Sequence, residues 1–164
     1  MLKPEITVEV DFDTSKLFGR EQQAKKHALW YMGQALIAEA QRLNLVPLDT
    51  GALRRSAVVT LNKLPSMSDV YDKAKPGDGD RPVVVDNPES HNEDVDTAYV
   101  SYNTPYAARL HEDMTWNPRD WRRTAGGKKV TKPAVGGPKW IEKAEASIRS
   151  KLPGIAARIM RRYL

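Results

Sequence analysis

Alternation of apolar and polar residues predicts a strand near the start of the chain. In the segment EITVEVDF, residues 5–12, every second residue is apolar. This period of two places the apolar side chains on one face of a sheet. Three later segments are rich in the β-branched residues and tyrosine that favour strands; they are SAVVTL at 56–61, PVVVD at 82–86 and DTAYVSY at 96–102.

Helical periodicity is strongest over 20–44, which predicts one long helix. Its apolar stripe consists of Leu29, Met32, Leu36, Ala40 and Leu43. Trp30, Gly33 and Ile37 make this stripe wider than one packing partner needs. We therefore expect the helix to lie under the sheet, and the width of the stripe leaves room for a subunit contact.

A short helix is expected after the strand at 96–102. Thr104 is placed to cap it, and Pro105 suits its first position because a proline has no N–H to leave unpaired. Tyr106 and Leu110 then share one face of the helix.

Helical periodicity returns in the C-terminal segment PKWIEKAEASIRSKLPGIAARIMRRYL. Trp140 and Ile141 begin its apolar stripe, so we expect them to anchor the helix to the sheet. Pro153 is expected to kink or break the helix near Arg149, whose carbonyl would lose its hydrogen-bond partner.

Together these elements predict an α+β fold in one domain over 1–164. The expected architecture is an antiparallel sheet of about four strands with the long helix and the kinked terminal helix packed on it. Two long loops, at 62–80 and 113–138, interrupt the regular elements.

The segment PLDTGALRRSA, residues 47–57, has two interpretations, a phosphate site or a structural corner. Asp49 suits a helix cap, and Leu48 and Leu53 are spaced for a hydrophobic staple. Arg54 and Arg55 would end the short helix, where its dipole favours cations. A corner is favoured, because Asp49 would repel a phosphate. On this interpretation Asp49→Ala costs about 1 kcal/mol, the usual loss for a removed cap, and removal of either arginine costs less.

Composition and charge narrow the function classes. The 164-residue chain has no cysteine, which excludes disulfides and thiol chemistry and favours a reducing compartment. The N-terminus lacks the apolar core of a signal peptide, and no apolar run is long enough to span a bilayer, so we expect a soluble intracellular product with no membrane partner. The net charge of +5 hides an acidic segment at 78–96 and a basic loop at 119–132. Such asymmetry indicates binding partners.

Catalytic chemistry is not predicted, and neither a cofactor nor a metal is expected. The sequence lacks a glycine-rich phosphate loop and a nucleophile elbow, and HED at 111–113 has no second histidine at helical spacing. A metal-dependent nuclease remains the third interpretation, since the acidic segment offers carboxylates.

A DNA-contacting protein is the second interpretation. The basic loop mixes cations with aromatic residues as phosphate-backbone and single-strand binders do; its members are Trp116, Arg119, Trp121, Arg122, Arg123, Lys128, Lys129 and Lys132. Against this interpretation, the acidic half of the chain opposes a phosphate field, and no helix with a basic face is evident.

The order of three motifs resembles the small head-to-tail joining proteins of long-tailed bacteriophages, also described as minor capsid or tail-completion proteins. The motifs are VPLDTGALRRSA at 46–57, YVSYNTPYAARLHED at 99–113 and GGPKWIEKA at 136–144. The matching structural positions are Asp49, Gly51, Leu53, Tyr106 and Trp140. The basic loop and the acidic insert near 70–95 depart from the family pattern, so no contact there carries over from it.

The resemblance implies a structural protein of the virion neck, made in the host cytoplasm and assembled between the portal complex and a long tail. Its partners would be copies of itself in a ring, with a hexamer expected, and other neck proteins such as an adaptor, a stopper or a tail terminator. Transient contact with genomic DNA is also implied. A ring subunit presents two unlike surfaces to its neighbours. We expect the basic loop to contact an acidic strip of the next subunit, formed by Asp86, Glu89, Glu93 and Asp94.

Overall fold

A computed structural model describes residues 6–11, 20–48, 51–66, 70, 86–116, 124–125, 128–129 and 135–164. Within these ranges the chain forms a three-stranded antiparallel sheet covered by helices, which confirms the α+β class. The strands are β1 (Ile6–Asp11), β2 (Ala57–Leu61) and β3 (Thr97–Tyr102), in the order β1–β3–β2. The described sheet therefore has three strands, fewer than the four expected. The strand expected at 82–86 lies outside the described residues except for Asp86, which belongs to no strand.

The register of the sheet places the apolar residues of its strands opposite one another. Val100 in the central strand β3 stands between Val8 of β1 and Val59 of β2. Side chains alternate across a strand, so Val59 and Val100 lie on one apolar face. Val59 and Val100 are both buried.

The long helix α1 (Arg20–Arg42) packs on that face. Gly33 is the point of closest approach, because a Cβ atom added there would lie 2.7 Å from Val59 Cγ1 and 3.3 Å from Val100 Cγ2. The expected burial of the stripe is confirmed for Leu29, Met32, Leu36, Ala40, Gly33 and Ile37. Trp30 is partly buried and Leu43 is exposed.

The terminal segment forms two helices, α4 (Trp140–Ile148) and α5 (Leu152–Tyr163), around a 3₁₀ turn at Arg149–Lys151. The break expected from Pro153 is thereby confirmed. Trp140 and Ile141 are 0% and 1% exposed, so the expected anchor of this segment is also confirmed. A smaller apolar cluster joins α5 to α1 and contains Ala28, Met32, Ala156 and Ile159.

The short helices α2 (Ala52–Arg55) and α3 (Ala107–Glu112) begin later than expected. Gly51, not Asp49, occupies the N-cap position of α2. Gly51 has φ 83°, and this left-handed conformation is accessible to glycine because it has no Cβ. The predicted cap and the Leu48–Leu53 staple are therefore wrong. Asp49 itself lies outside the described residues, and Leu48 is exposed.

Tyr106, not Thr104, is the N-cap residue of α3. Thr104 is buried, and its carbonyl accepts a hydrogen bond from Ala107 N at 3.0 Å. The chain thus makes a turn through Pro105 before the helix begins. The predicted cap at Thr104 is wrong by two residues.

The stretch expected to be a loop at 113–138 contains two short antiparallel strands, β4 (Thr124–Ala125) and β5 (Lys128–Lys129). Across the described part of the chain, every helix is too short or too polar to cross a bilayer.

Candidate functional site

The three motifs that carry the family resemblance meet in one corner of the fold. Gly137 N donates to Leu45 O at 3.0 Å, which joins the third motif to the residues directly before the first. Lys139 N donates to His111 O at 2.9 Å, and Asn103 N donates to Ser56 O at 3.2 Å. We call these three packed segments, 46–57, 99–113 and 136–144, the motif corner.

Gly136 allows a close backbone approach within the motif corner. Its φ is +90°, and an added Cβ would lie 2.5 Å from Pro47 N and 2.6 Å from Val46 C. Both neighbours are backbone atoms, which cannot turn away as a side chain can. The two segments can approach this closely because residue 136 is a glycine.

Arg54 ties the motif corner together from inside. Its side chain is buried, and its guanidinium donates to Val46 O through Nη2 at 3.0 Å and through Nε at 3.3 Å. The carbonyl of Val46 lies in the loop that follows α1, so the arginine holds that loop against α2. The expected position of Arg54 in the last turn of α2 is confirmed. Its burial and its two hydrogen bonds argue against the small cost of removal that was expected from the sequence. Arg55 is also buried, at 3% exposure.

A buried cluster of three polar residues joins β3 to α2. Ser56, Ser101 and Asn103 are each 0% exposed. Asn103 Nδ2 donates to Ser101 Oγ at 3.0 Å and to Ser56 O at 3.3 Å, and Asn103 N lies 3.1 Å from Ser56 Oγ. Buried polar groups that find partners specify one arrangement of the elements around them.

His111 is the centre of an ionic cluster at the edge of the motif corner. It is 2% exposed, and its ring meets Trp140 edge to face at 4.6 Å. His111 Nδ1 lies 2.7 Å from Glu112 Oε1, and Nε2 lies 2.7 Å from Glu142 Oε2. Lys139 pairs with Glu112 and, at 3.2 Å, with Glu142. Hydrogen bonding from Lys139, followed by that from His111, lowers the pKa of Glu112.

The donor atoms of His111, Glu112 and Glu142 lie within 4.8 Å of one another and could hold a metal ion. Imidazole with two carboxylates suits a divalent transition metal. The Lys139 ammonium pairs with both carboxylates, so a metal ion would have to displace it. The arrangement is an ionic cluster that joins α3 to α4.

The acidic strip is paired with basic and histidine side chains of its own chain. Lys25 of α1 pairs with Asp96 and lies 3.5 Å from Asp94, while His27 Nε2 lies 2.8 Å from Glu89 Oε1. Lys26 Nζ donates to His91 O at 2.7 Å. Burial lowers the pKa of His27, against the opposing attraction of Glu89. The strip thus fixes the loop 86–96 against the first turns of α1.

Asp86 differs from the rest of the strip in being nearly buried. It accepts a hydrogen bond from Leu61 N at 2.8 Å and lies 2.8 Å from His91 Nε2, while Glu93 lies 2.8 Å from His91 Nδ1. Burial alone would lower the pKa of His91, but hydrogen bonds to Glu93 and Asp86 raise it. Asp86 therefore has a structural role at the end of β2.

Within the described residues, no contact joins the cations of the basic loop to the acidic strip. Arg119, Trp121, Arg122, Arg123 and Lys132 lie outside the described residues, and Lys128 and Lys129 are placed only as strand β5. Trp116 donates through Nε1 to Leu110 O at 2.7 Å, which ties it to α3. Tyr106 is partly exposed at 38%, whereas Leu53 is buried.

Helix α5 carries a basic face that the sequence interpretation missed. Arg158, Arg161 and Arg162 are all exposed, and their spacing of three and four residues places them on one side of the helix. The signal was available in the sequence, since residues 146–164 contain five cations and no acid. The statement that no helix has a basic face is wrong.

Comparisons with protein-family models, with curated proteins and with solved structures found no match to this chain.

Proposed function

We propose that the chain is a structural subunit of a bacteriophage neck, which forms a homo-oligomeric ring between the head and a long tail. The observation that supports this most is the motif corner. Three motifs that are weak signals separately, and that lie up to about ninety residues apart, contact one another in the fold. Three matching motifs that contact one another support the resemblance to the family more strongly than three motifs that lie apart on the surface would. The role requires no catalysis, cofactor or metal.

The internal pairing of the acidic strip reduces the set of acidic residues that can form the predicted joint between subunits. Glu89, Glu93 and Asp94 keep side chains that are 66%, 54% and 51% exposed, so a neighbour could still reach them. Asp86 is only 14% exposed and holds β2. We therefore keep Glu89, Glu93 and Asp94 as the acidic side of the proposed joint and remove Asp86 from it.

A nonsense codon in the gene of the phage that encodes this chain tests the proposed role. The expected result is normal production of filled heads and of tails that fail to join, seen by negative-stain electron microscopy, with joining restored by the wild-type chain supplied in trans. The matched control is the same nonsense mutant grown in a suppressor host that inserts the wild-type residue at the nonsense codon. Normal particles from the nonsense mutant in a non-suppressing host would contradict the proposal.

A further inference from the structure

We propose that the basic face of α5, formed by Arg158, Arg161 and Arg162 together with Lys151 of the 3₁₀ turn directly before the helix, binds the phosphate backbone of duplex DNA without sequence preference. This inference does not rest on a role in the neck, because it concerns a surface that the isolated chain already presents. All four side chains are exposed. Within the described residues, no carboxylate lies at ion-pair distance from Arg158, Arg161 or Arg162, in contrast to Arg149, which pairs with Glu145.

The basic face is held in a fixed orientation by the rest of the fold. Ala156 and Ile159 on the opposite side of α5 pack against α1. The Tyr163 ring stacks on His27 at 4.0 Å with an interplanar angle of 12°, which fastens the end of the helix. From Lys151 to Arg162 the helix extends about 16 Å at 1.5 Å per residue, the length of about five base pairs.

The chemistry of the face favours a phosphate polymer over a membrane or an acidic protein. A helix that lies in a membrane surface needs a free apolar side, and that side of α5 is buried against α1. A protein partner usually meets a buried apolar or aromatic centre. Between Lys151 and Arg162 the exposed residues are Pro153, Gly154 and the arginines, and the exposed apolar side chains of this helix, Tyr163 and Leu164, lie only at the C-terminal edge of the face. Arginine is also the side chain that best matches the geometry of phosphate oxygens.

The acidic strip of a second copy is the competing partner for this face, because Glu89, Glu93 and Asp94 are more than half exposed. The polyglutamate competition in the test below distinguishes this partner from duplex DNA.

Fluorescence anisotropy with a labelled 25-base-pair duplex over a range of salt concentrations tests the inference. The test variant is the triple substitution Arg158→Ala, Arg161→Ala, Arg162→Ala. The matched control removes three exposed cations elsewhere, by Lys63→Ala, Arg109→Ala and Lys143→Ala. A third variant, Arg119→Ala, Arg122→Ala, Arg123→Ala, separates the basic loop from α5.

The expected result is a loss of at least about tenfold in affinity for the α5 triple variant, with little loss in the control. The slope of log affinity against log salt should fall by about 2 to 3, since each phosphate contact contributes about 0.9. Two duplexes of unrelated sequence should bind equally. Thermal melts check that each variant is folded, and the single variant Arg158→Gln gives the same direction of effect if the triple variant does not fold.

Three results of the anisotropy titration would overturn the inference. They are an absence of duplex binding by the wild-type chain, an unchanged affinity in the α5 variants, and a loss confined to the loop variant. Competition by polyglutamate as strong as that by duplex DNA at equal charge would also overturn it, because it would indicate an acidic protein as the partner.

Discussion

At the scale of single residues, Arg54 has a structural role, because its charged side chain is buried and holds the loop after α1. Replacing it with alanine leaves the carbonyl of Val46 without its two guanidinium bonds in a buried site. An unsatisfied buried acceptor costs about 1–3 kcal/mol, so we expect Arg54→Ala to lower the free energy of unfolding by about 1–3 kcal/mol. Arg54→Lys is the control that keeps the charge and loses the fork, and chemical denaturation measures both. A loss under 0.5 kcal/mol, on the order of a surface substitution, would contradict the structural role.

Two glycines give opposite predictions for the same substitution. Gly136→Ala places a Cβ against the backbone of Pro47 in a left-handed conformation, which costs about 1–3 kcal/mol before the clash is counted. Gly154 is exposed in α5 with open space around an added Cβ, so Gly154→Ala should stabilise the chain by about 0.5–1 kcal/mol. Thermal melts of the two variants side by side measure the difference. Similar shifts in both would mean that the close approach at Gly136 is absent in solution.

Glu39 gives the prediction about pH. Hydrogen bonds from Arg42, then from Ser147 Oγ at 2.7 Å, lower its pKa to about 2. The folded pKa lies below the ordinary value, so the stabilisation is present above about pH 4.5 and is lost as the pH falls toward 2. Glu39→Gln should lower the melting temperature at pH 7, and its difference from wild type should shrink at pH 3. An equal difference at both pH values would show that the carboxylate charge does not link α1 to α4.

At the scale of elements, hydrophobic periodicity and proline predicted those helices, strands and breaks that depend on neighbouring residues in the sequence. The alternation at 5–12 was sufficient to predict β1, and the apolar stripe over 20–44 was sufficient to predict α1. Pro153 was sufficient to predict the break before α5. The helix caps were not predictable from cap-forming residues, because tertiary contacts decide where α2 and α3 begin. Gly51 starts α2 in a left-handed conformation beside the buried Arg54.

Long-range pairing was the larger omission of the sequence interpretation. Lys25 and its partner Asp94 are 69 residues apart, and no pattern along the chain relates them. The same is true of His111 and Glu142, which meet only because α4 returns to α3. The basic face of α5, by contrast, could have been predicted from helical spacing and the absence of acids after Glu145.

Trp140 carries the prediction for helix α4. It is fully buried and meets Tyr102 and His111 edge to face at 5.6 and 4.6 Å. Truncating a buried tryptophan costs about 3–5 kcal/mol, so Trp140→Ala is expected to unfold the chain or lower its melting temperature strongly. Trp140→Phe keeps most of the contact and should lose less. An unchanged melt for Trp140→Ala would mean that α4 does not anchor to the sheet.

At the scale of the whole molecule, the unequal distribution of charge bears on assembly. Changing Arg119, Arg122 and Arg123 to glutamate should block entry into particles if the basic loop meets the neighbour's acidic strip. Changing Glu89, Glu93 and Asp94 to lysine in the same chain should restore entry, because the attraction across the joint is rebuilt with reversed sign. Western blotting of purified particles measures incorporation, and glutamate at Lys63, Arg109 and Lys143 is the control. Failure of the double reversal, with both single reversals folded, would remove this joint.

The central claim is that the chain forms a ring in the phage neck. Cryo-electron microscopy of purified particles, with the head–tail junction reconstructed separately from the head and the tail, tests it most directly. The account predicts a closed ring of identical subunits at the junction, six by expectation, into which the three-stranded sheet, α1 and the broken pair α4–α5 fit. A junction fully built from other proteins, with this chain absent from the particle, would contradict it.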